Sequence, residues 1–295
     1  MYARLAACLL CATALAWPAD AKDAAAPDFS GVWARTTFAF DLPPPGTVPS
    51  PLRNLARRAN GTSDAFKLVG DYNNPILKPE AAKIVKQHGE ISLAGKSYPD
   101  ASNECRPLPA PYVLRIAQMQ MLQEKDKVTI LYIQDHQVRH VRMNASHPAH
   151  VTPSWSGDSV GHYEGDTLVI DTVGIKTRPG AMIDLYGTPY SDALHVVERY
   201  RLVDSETARA AQERSEKEYG RPTTEPVYVD FGYKGKGLEA KFTVEDPATF
   251  TMPWSSSVTY RRSNSDWLEI VCAESTTDFY KDQTSTVPRA DKPDF

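Results

Sequence analysis

Residues 155–174, WSGDSVGHYEGDTLVIDTVG, carry a hairpin signal that organises the rest of the chain. A glycine-rich, acidic stretch runs directly into the apolar segment TLVID, which ends at Asp171. Glu164-Gly165-Asp166 is typical of a tight turn between two strands, because glycine readily adopts a positive φ. The stretch therefore predicts a β-hairpin whose central acidic residues serve the turn.

The length of this turn determines which side of the hairpin Asp171 faces. A two-residue turn at 164–165 puts Asp171 on the same face as His162. A three-residue turn with Gly165 in a bulge puts Asp171 on the face of Tyr163. Both registers stay open at this stage, since a shift of one residue exchanges the two faces of a strand.

Short β-strand patterns recur on both sides of this hairpin. They are rich in β-branched and aromatic residues and are bounded by turn residues. The pattern predicts a mainly β protein, a single antiparallel barrel-like or sandwich domain with a few peripheral helices. A first strand is predicted around Gly31-Val32-Trp33, and the others are 128–133, 138–143, 159–162, 167–173, 195–202, 238–244, 256–261 and 267–272.

Two segments have helical patterns instead. One has Pro79 in its first turn and an apolar stripe behind it. The other begins with Ser205 as the expected N-cap and ends at Gly220. We expect this second helix within an insertion at 205–237, and a proline-rich excursion at 42–64.

The N-terminal sequence has the pattern of a secretory signal peptide over residues 1–21. Arg4 precedes an apolar segment, and small residues around Ala21 fit a cleavage site. The apolar segment is shorter than the roughly 20 residues that span a bilayer. We therefore expect a periplasmic or secreted protein with one β-rich domain at 22–275 and a polar tail at 276–295.

Export changes the interpretation of the cysteines. Cys8 and Cys11 lie within the signal peptide, so Cys105 and Cys272 remain in the mature chain. In an oxidising compartment the simplest expectation is a disulfide between them. Two unlinked buried thiols are the alternative.

Charge excludes several partner classes. The formal net charge is −4, and the basic residues are scattered rather than clustered on one segment. Nucleic-acid binding needs a basic face, and a membrane surface attracts polybasic segments. We expect neither partner and no stable membrane insertion, whereas the oligomeric state is not indicated.

Cofactor and metal signatures are weak. Gly161 and Gly165 do not form a phosphate loop, since no helix follows them. His147 and His150 lie off a helix and lack the fixed geometry of a helical zinc motif. We therefore expect no cofactor and no metal.

Asp171 and His195 are the candidate catalytic residues. A carboxylate in an otherwise apolar strand is costly unless it is paired or faces water or a cavity. His195 could meet Asp171 across the sheet, which would orient the imidazole for general acid/base chemistry. The alternatives are a carboxylate held by backbone amides or an arginine, and a hydrogen-bonded structural histidine.

Five further residues are candidates for binding the substrate. The period of two along a strand puts Arg199 on the face of His195 and Glu198 on the opposite face. The five are Glu198, Arg199, Tyr163, Trp155 and His162.

Four motifs together resemble a large, mostly uncharacterised family of exported bacterial proteins. They are D-F-S-G-x-W from Asp28, the central W-x-G-x-S-x-G-x-W-E-G-D-T-L-V-x-D-T-x-G from Trp155, the segment after Tyr190, and D-P-x-x-Y-T-x-P-W from Asp246. This chain departs from them at Tyr163, where tryptophan is usual, at Tyr190, where histidine is usual, and in the inserted segment. The resemblance implies fold and compartment more than activity.

A second, shorter resemblance concerns the start of the mature chain. Gly31-Val32-Trp33 is similar to the glycine-x-tryptophan start of lipocalin barrels. This likeness implies a barrel with a ligand inside it.

Three functions fit these features. The first is an exported, metal-independent lyase, isomerase or hydrolase that acts on a small organic substrate, with His195 and Asp171 as acid and base. The second is a lipocalin-like carrier of an apolar ligand without catalysis. The third is a structural or interaction protein of the cell envelope.

Overall fold

The computed structural model of the chain describes residues 26–43, 47, 49–96, 101, 105–220, 228–265, 267 and 271. Nine strands form a closed barrel in chain order, and β9 pairs with β1. This confirms the predicted mainly β, barrel-like fold with few helices. The strands are β1 (Gly31–Ala34), β2 (Gln118–Gln123), β3 (Lys127–Tyr132), β4 (Gln137–Met143), β5 (Asp158–Glu164), β6 (Thr167–Val173), β7 (His195–Val203), β8 (Gly237–Glu245) and β9 (Trp254–Arg262).

One neighbouring pair of strands is parallel. Val141 of β4 lies beside Ser159 of β5 in parallel register, whereas the other neighbouring strands of the barrel are antiparallel. A tight hairpin cannot join parallel strands, so residues 144–157 form a longer crossover. The barrel is therefore mixed, which differs from the purely antiparallel arrangement expected from sequence.

Two α-helices lie outside the barrel wall, α1 (Pro79–Leu93) and α2 (Ser205–Tyr219). Helix α2 lies in the predicted insertion between β7 and β8, and it contacts β8 and β9. Its N-cap is Asp204 rather than Ser205, because the Asp204 carboxylate accepts the backbone N–H of Thr207 at 2.8 Å. The charged insertion is thus a helix that covers part of the wall.

Side chains fill the barrel interior. Along β4 the residues alternate between buried and exposed, so Gln137, Arg139, Val141 and Met143 point inward. Opposite strands contribute large side chains such as Trp33, which is 1% exposed. The core of the domain therefore lies on the barrel axis.

A buried ion pair forms the polar part of this core. Arg139 Nη1 donates to Glu198 Oε1 at 3.1 Å, and Nη2 donates to the other carboxylate oxygen. Arg139 also donates to Thr172 Oγ1 at 2.6 Å and to Ser159 Oγ at 3.0 Å, and the Tyr200 hydroxyl donates to Glu198 at 3.2 Å. The charges are fully enclosed, and these partners satisfy their hydrogen-bonding groups.

Several sequence-based predictions fall outside the described residues. These are the signal peptide at 1–21, the polar tail at 276–295 and Cys272. The predicted strand at 267–272 has only Trp267 and Val271 described. The disulfide between Cys105 and Cys272 therefore stays a prediction.

Candidate functional site

The hairpin of β5 and β6 places Asp171 on the outer face of the barrel. Glu164 pairs with Thr167, so the turn consists of Gly165 and Asp166, and Gly165 has a φ of 61°. Neither proposed turn has these residues. Asp171 nevertheless lies on the face of the hairpin that the two-residue turn predicts, because the observed register puts it on the same face as His162.

Two histidines contact the same oxygen of Asp171. His195 Nε2 lies 2.9 Å from Asp171 Oδ1, and His147 Nε2 lies 3.2 Å from it. His195 is the first residue of β7, on the outward side of that strand, and His147 comes from the crossover between β4 and β5. An ionised carboxylate only accepts hydrogen bonds, so both Nε2 atoms donate to it.

A second carboxylate holds the opposite side of His147. His147 Nδ1 lies 2.6 Å from Asp158 Oδ1, and Arg142 Nη2 donates to both oxygens of Asp158 at 2.8 and 3.0 Å. Partial burial raises the pKa of Asp158, but the hydrogen bonds from His147 and Arg142 outweigh it, so the pKa lies below the ordinary value of 3.8. Both ring nitrogens of His147 thus lie within hydrogen-bond distance of a carboxylate.

One ring nitrogen of His195 makes no hydrogen bond to any described residue. Its Nδ1 lies 3.8 Å from Glu245 Oε2, which is too long for a hydrogen bond. The side chains of His195 and Asp171 are 34% and 36% exposed, so solvent reaches them. We call the group of Arg142, His147, Asp158, Asp171, His195 and Glu245 the Asp171 patch.

This arrangement can exchange a proton with a bound molecule. Asp171 holds the Nε2–H of His195, which leaves Nδ1 as the basic nitrogen and stabilises the ring when Nδ1 gains a proton. The same logic positions the histidine of carboxylate–histidine pairs in general acid/base catalysis. The Asp171 patch therefore has the groups that a proton-transfer site needs, on an open surface.

The other predicted site residues lie elsewhere. Glu198 faces the barrel interior, on the opposite side of the wall from Asp171, where it pairs with Arg139. Arg199 and His162 lie farther along the outer face, and both contact Glu164. The structure thus brings together only His195 and Asp171 of the predicted set.

The two aromatic candidates also lie apart from the Asp171 patch. Tyr163 is on the inward side of β5, where its hydroxyl accepts a hydrogen bond from Gln123 at 2.7 Å. Trp155 lies in the crossover, with the cationic groups of Lys176 and Arg178 at 5.2 and 5.1 Å from its ring. Neither side chain contacts Asp171 or His195.

His147 is the residue that sequence reasoning missed. In the sequence, His147 stands out only through its spacing from His150, which is a weak metal motif. The signal that could have found it is the pair Asp158 and Asp171, two outward-facing carboxylates on adjacent strands that need cationic or N–H partners. Its actual partners depend on the parallel crossover, which local patterns do not reveal.

In the part of the chain that the structure describes, no group of three or more His, Cys, Asp or Glu side chains is arranged to hold a metal ion. In the same residues, no helix has both the length and the apolar character required to cross a membrane.

Comparison with known proteins leaves the chain without an assigned family. No family model, no curated protein and no solved structure matches it. The likeness to exported bacterial proteins thus rests on the motifs quoted above and stays a prediction.

Proposed function

We propose that the Asp171 patch carries out general acid/base catalysis on a small organic substrate. The observation that carries this proposal is the 2.9 Å contact between His195 Nε2 and Asp171 Oδ1 on an accessible face. His195 Nδ1 takes a proton from the substrate or from water and later returns it. Asp171 keeps the ring in the required tautomer and stabilises its charged form.

The neighbouring charges keep Asp171 in position. His147 contacts both Asp158 and Asp171, so it joins the crossover to β5 and β6 at one point. Arg142 fixes Asp158 from β4 with two contacts. His147, Asp158 and Arg142 are positioning residues in this proposal, since their hydrogen-bonding atoms face each other.

Such a site suits a lyase, an isomerase or a hydrolase, because each of these reactions includes a proton transfer. In the Asp171 patch, His195 and Asp171 are the two residues that carry out this proton transfer. Access from solvent favours a small substrate that approaches along the outer wall. We also propose that the protein is exported, and this part of the proposal rests on its N-terminal sequence.

Hydrolysis of p-nitrophenyl acetate tests whether His195 has the proposed basic nitrogen. We expect the purified mature protein to accelerate hydrolysis near neutral pH. His195→Gln and Asp171→Asn should each lower the protein-dependent rate by at least about tenfold, as the loss of a positioned base does. The matched control is His140→Gln, because His140 is an exposed outer-face histidine whose side chain, among the described residues, hydrogen-bonds to Thr129 and to no carboxylate.

The comparison between these histidines decides the outcome. Equal loss in His140→Gln and His195→Gln would show reaction at exposed imidazoles in general. Unchanged hydrolysis in His195→Gln would contradict the proposal outright. Circular dichroism melts of each variant separate loss of the site from loss of the fold.

A carrier function is the second candidate, favoured by the closed barrel itself. Closed barrels are a common scaffold for small apolar ligands. In this chain the interior is occupied by the Arg139–Glu198 network and aromatic side chains, so a ligand would have to lie off the axis. Native mass spectrometry of protein isolated from the periplasm tests this, and a carrier should show a bound small molecule.

A further inference from the structure

The barrel wall has a seam beside β9. Strand β1 is short, and it pairs with β9 only at Arg261 and Arg262. Beyond that point the chain after β1 runs along β9 irregularly, and the N–H of Asp41 donates to the Ser257 carbonyl at 2.8 Å. The seam is therefore lined by a loop rather than by a regular strand.

An apolar cleft opens at this seam. Phe40 forms its inner side, with its ring centroid 4.9 Å from that of Phe242 and 6.4 Å from that of Trp254. The cleft is narrow, with about 20 Å³ of free volume, enough for one water molecule. Its apolar and aromatic lining includes Phe38, Phe40, Leu42, Leu52, Tyr112 and Tyr186.

A wider cavity adjoins the cleft. Its volume is about 270 Å³, and it shares Leu42, Pro43, Arg53 and Tyr219 with the cleft. We call the two together the seam pocket. Its combination of an apolar inner end and a polar outer end is typical of sites for small amphiphilic ligands.

Two of the arginines that line the seam pocket, Arg53 and Arg115, have no anionic partner among the described residues. The Arg115 guanidinium stacks over the Tyr112 ring at 4.3 Å, and its Nε is buried with no hydrogen-bond partner among the described residues. Arg53 is exposed, and among the described residues its side chain makes no ion pair or hydrogen bond. An unpaired guanidinium beside apolar surface favours a carboxylate, which it can bind through two parallel N–H groups.

The carboxyl groups around the cleft have their own partners. Asp41 pairs with Arg35 at 2.9 Å, and Asp184 accepts the hydroxyl and the backbone N–H of Thr188. Burial raises the pKa of both Asp41 and Asp184. In the wider cavity, Arg57 and Glu218 pair with each other. Among the described residues, the cationic groups of the seam pocket that lack an oppositely charged partner are therefore Arg53 and Arg115.

We propose that the seam pocket binds an amphiphilic carboxylate, with the apolar body of the ligand in the cleft and its carboxylate on Arg115 and Arg53. Binding requires the cleft to widen, and the chain on this side pairs with β9 in regular register only at Trp33 and Ala34. The pocket shares no residue with the Asp171 patch. This inference therefore stands independently of the acid/base proposal.

Isothermal titration calorimetry with decanoate tests the inference directly. We expect decanoate to bind at least about tenfold more tightly than 1-decanol, which lacks the charge. Arg115→Gln and Arg53→Gln should each weaken decanoate binding about tenfold and leave 1-decanol binding unchanged. Arg201→Gln is the matched control, since Arg201 is an exposed arginine of the outer wall that pairs with Glu239.

The result that would overturn the inference is equal binding of decanoate and 1-decanol, or unchanged decanoate binding in both arginine variants. Arg53 is exposed, so Arg53→Gln should keep the fold even if Arg115→Gln does not. Weakened binding in Arg201→Gln would show a general charge effect and would also count against the site. Ester hydrolysis of the same variants, measured separately, distinguishes failure here from failure of the acid/base proposal.

Discussion

Glu198 and Arg199 are consecutive residues of β7 with opposite environments. Glu198 is fully buried and pairs with Arg139 inside the barrel, whereas Arg199 pairs with Glu164 on the outer face. Strand alternation alone produces this difference. Arg139 and Glu198 are removed from water and are hydrogen-bonded to protein groups instead, so the loss of either one leaves the other as an uncompensated buried charge. The outer pair stays hydrated.

The two pairs should respond differently to mutation. Glu198→Gln should lower the free energy of unfolding by about 3–5 kcal/mol, because Arg139 then lacks its anionic partner. Arg199→Gln, at the adjacent exposed position, should leave the midpoint of urea unfolding close to that of the wild type. Urea titrations followed by tryptophan fluorescence measure both. Similar midpoints for the two variants would contradict the assignment of Glu198 to the core.

At the scale of elements, the crossover between β4 and β5 depends on Asp158. This residue begins β5, and its carboxylate contacts Arg142 of β4 and His147 of the crossover. The folded-state pKa of Asp158 lies below the ordinary value. For an acid with a lowered pKa, the stabilising contribution is complete above the unfolded-state pKa and is lost as pH falls through the folded-state pKa.

Asp158→Asn should therefore destabilise the protein in a pH-dependent way. At pH 7 the Tm of the variant should lie below that of the wild type, because the asparagine lacks the charge that Arg142 and His147 bind. The difference should shrink as pH falls below 3.8, the ordinary value for aspartate. Asp126→Asn is the control, since Asp126 is exposed. A Tm difference that is constant from pH 7 to pH 3 would refute this account.

At the scale of the molecule, two segments far apart in sequence contact residues near the start of β4. The side chain of Gln137 bonds to both the N–H and the carbonyl of Leu108, shortly after Cys105. The ring of Trp267, shortly before Cys272, lies 6.4 Å from that of His136. These contacts bring Leu108 and Trp267 to the same end of the barrel, near the start of β4.

A Cys105–Cys272 disulfide would link these segments in the exported protein. Mass spectrometry should then show that iodoacetamide labels neither cysteine until a reductant is added under denaturing conditions. Cys105→Ser should also lower the stability, by up to about 5 kcal/mol in the chain-entropy account of disulfides. Labelling of either thiol in the denatured, unreduced mature chain would rule out the disulfide.

Local patterns predict the strands well because they depend on neighbouring residues. Hydrophobic alternation predicted most of the barrel strands, and it put His195 and Arg199 on one face of β7 and Glu198 on the other. The exact turn at Gly165 and Asp166 was missed, since either neighbouring turn has similar residues. Strand β1 was predicted and β2 was missed, and local patterns could not predict that the two pair, because the pairing joins distant segments.

The sequence by itself determined the strand periodicity, the fold class and the two members of the candidate site that lie on regular strands, Asp171 and His195. Only the tertiary structure decided that His147 completes the Asp171 patch and that Glu198 pairs with Arg139 inside the barrel. The physical reason is the distance along the chain between the residues that interact. The face of a side chain follows from its own strand, whereas its partner depends on barrel closure and on a parallel crossover.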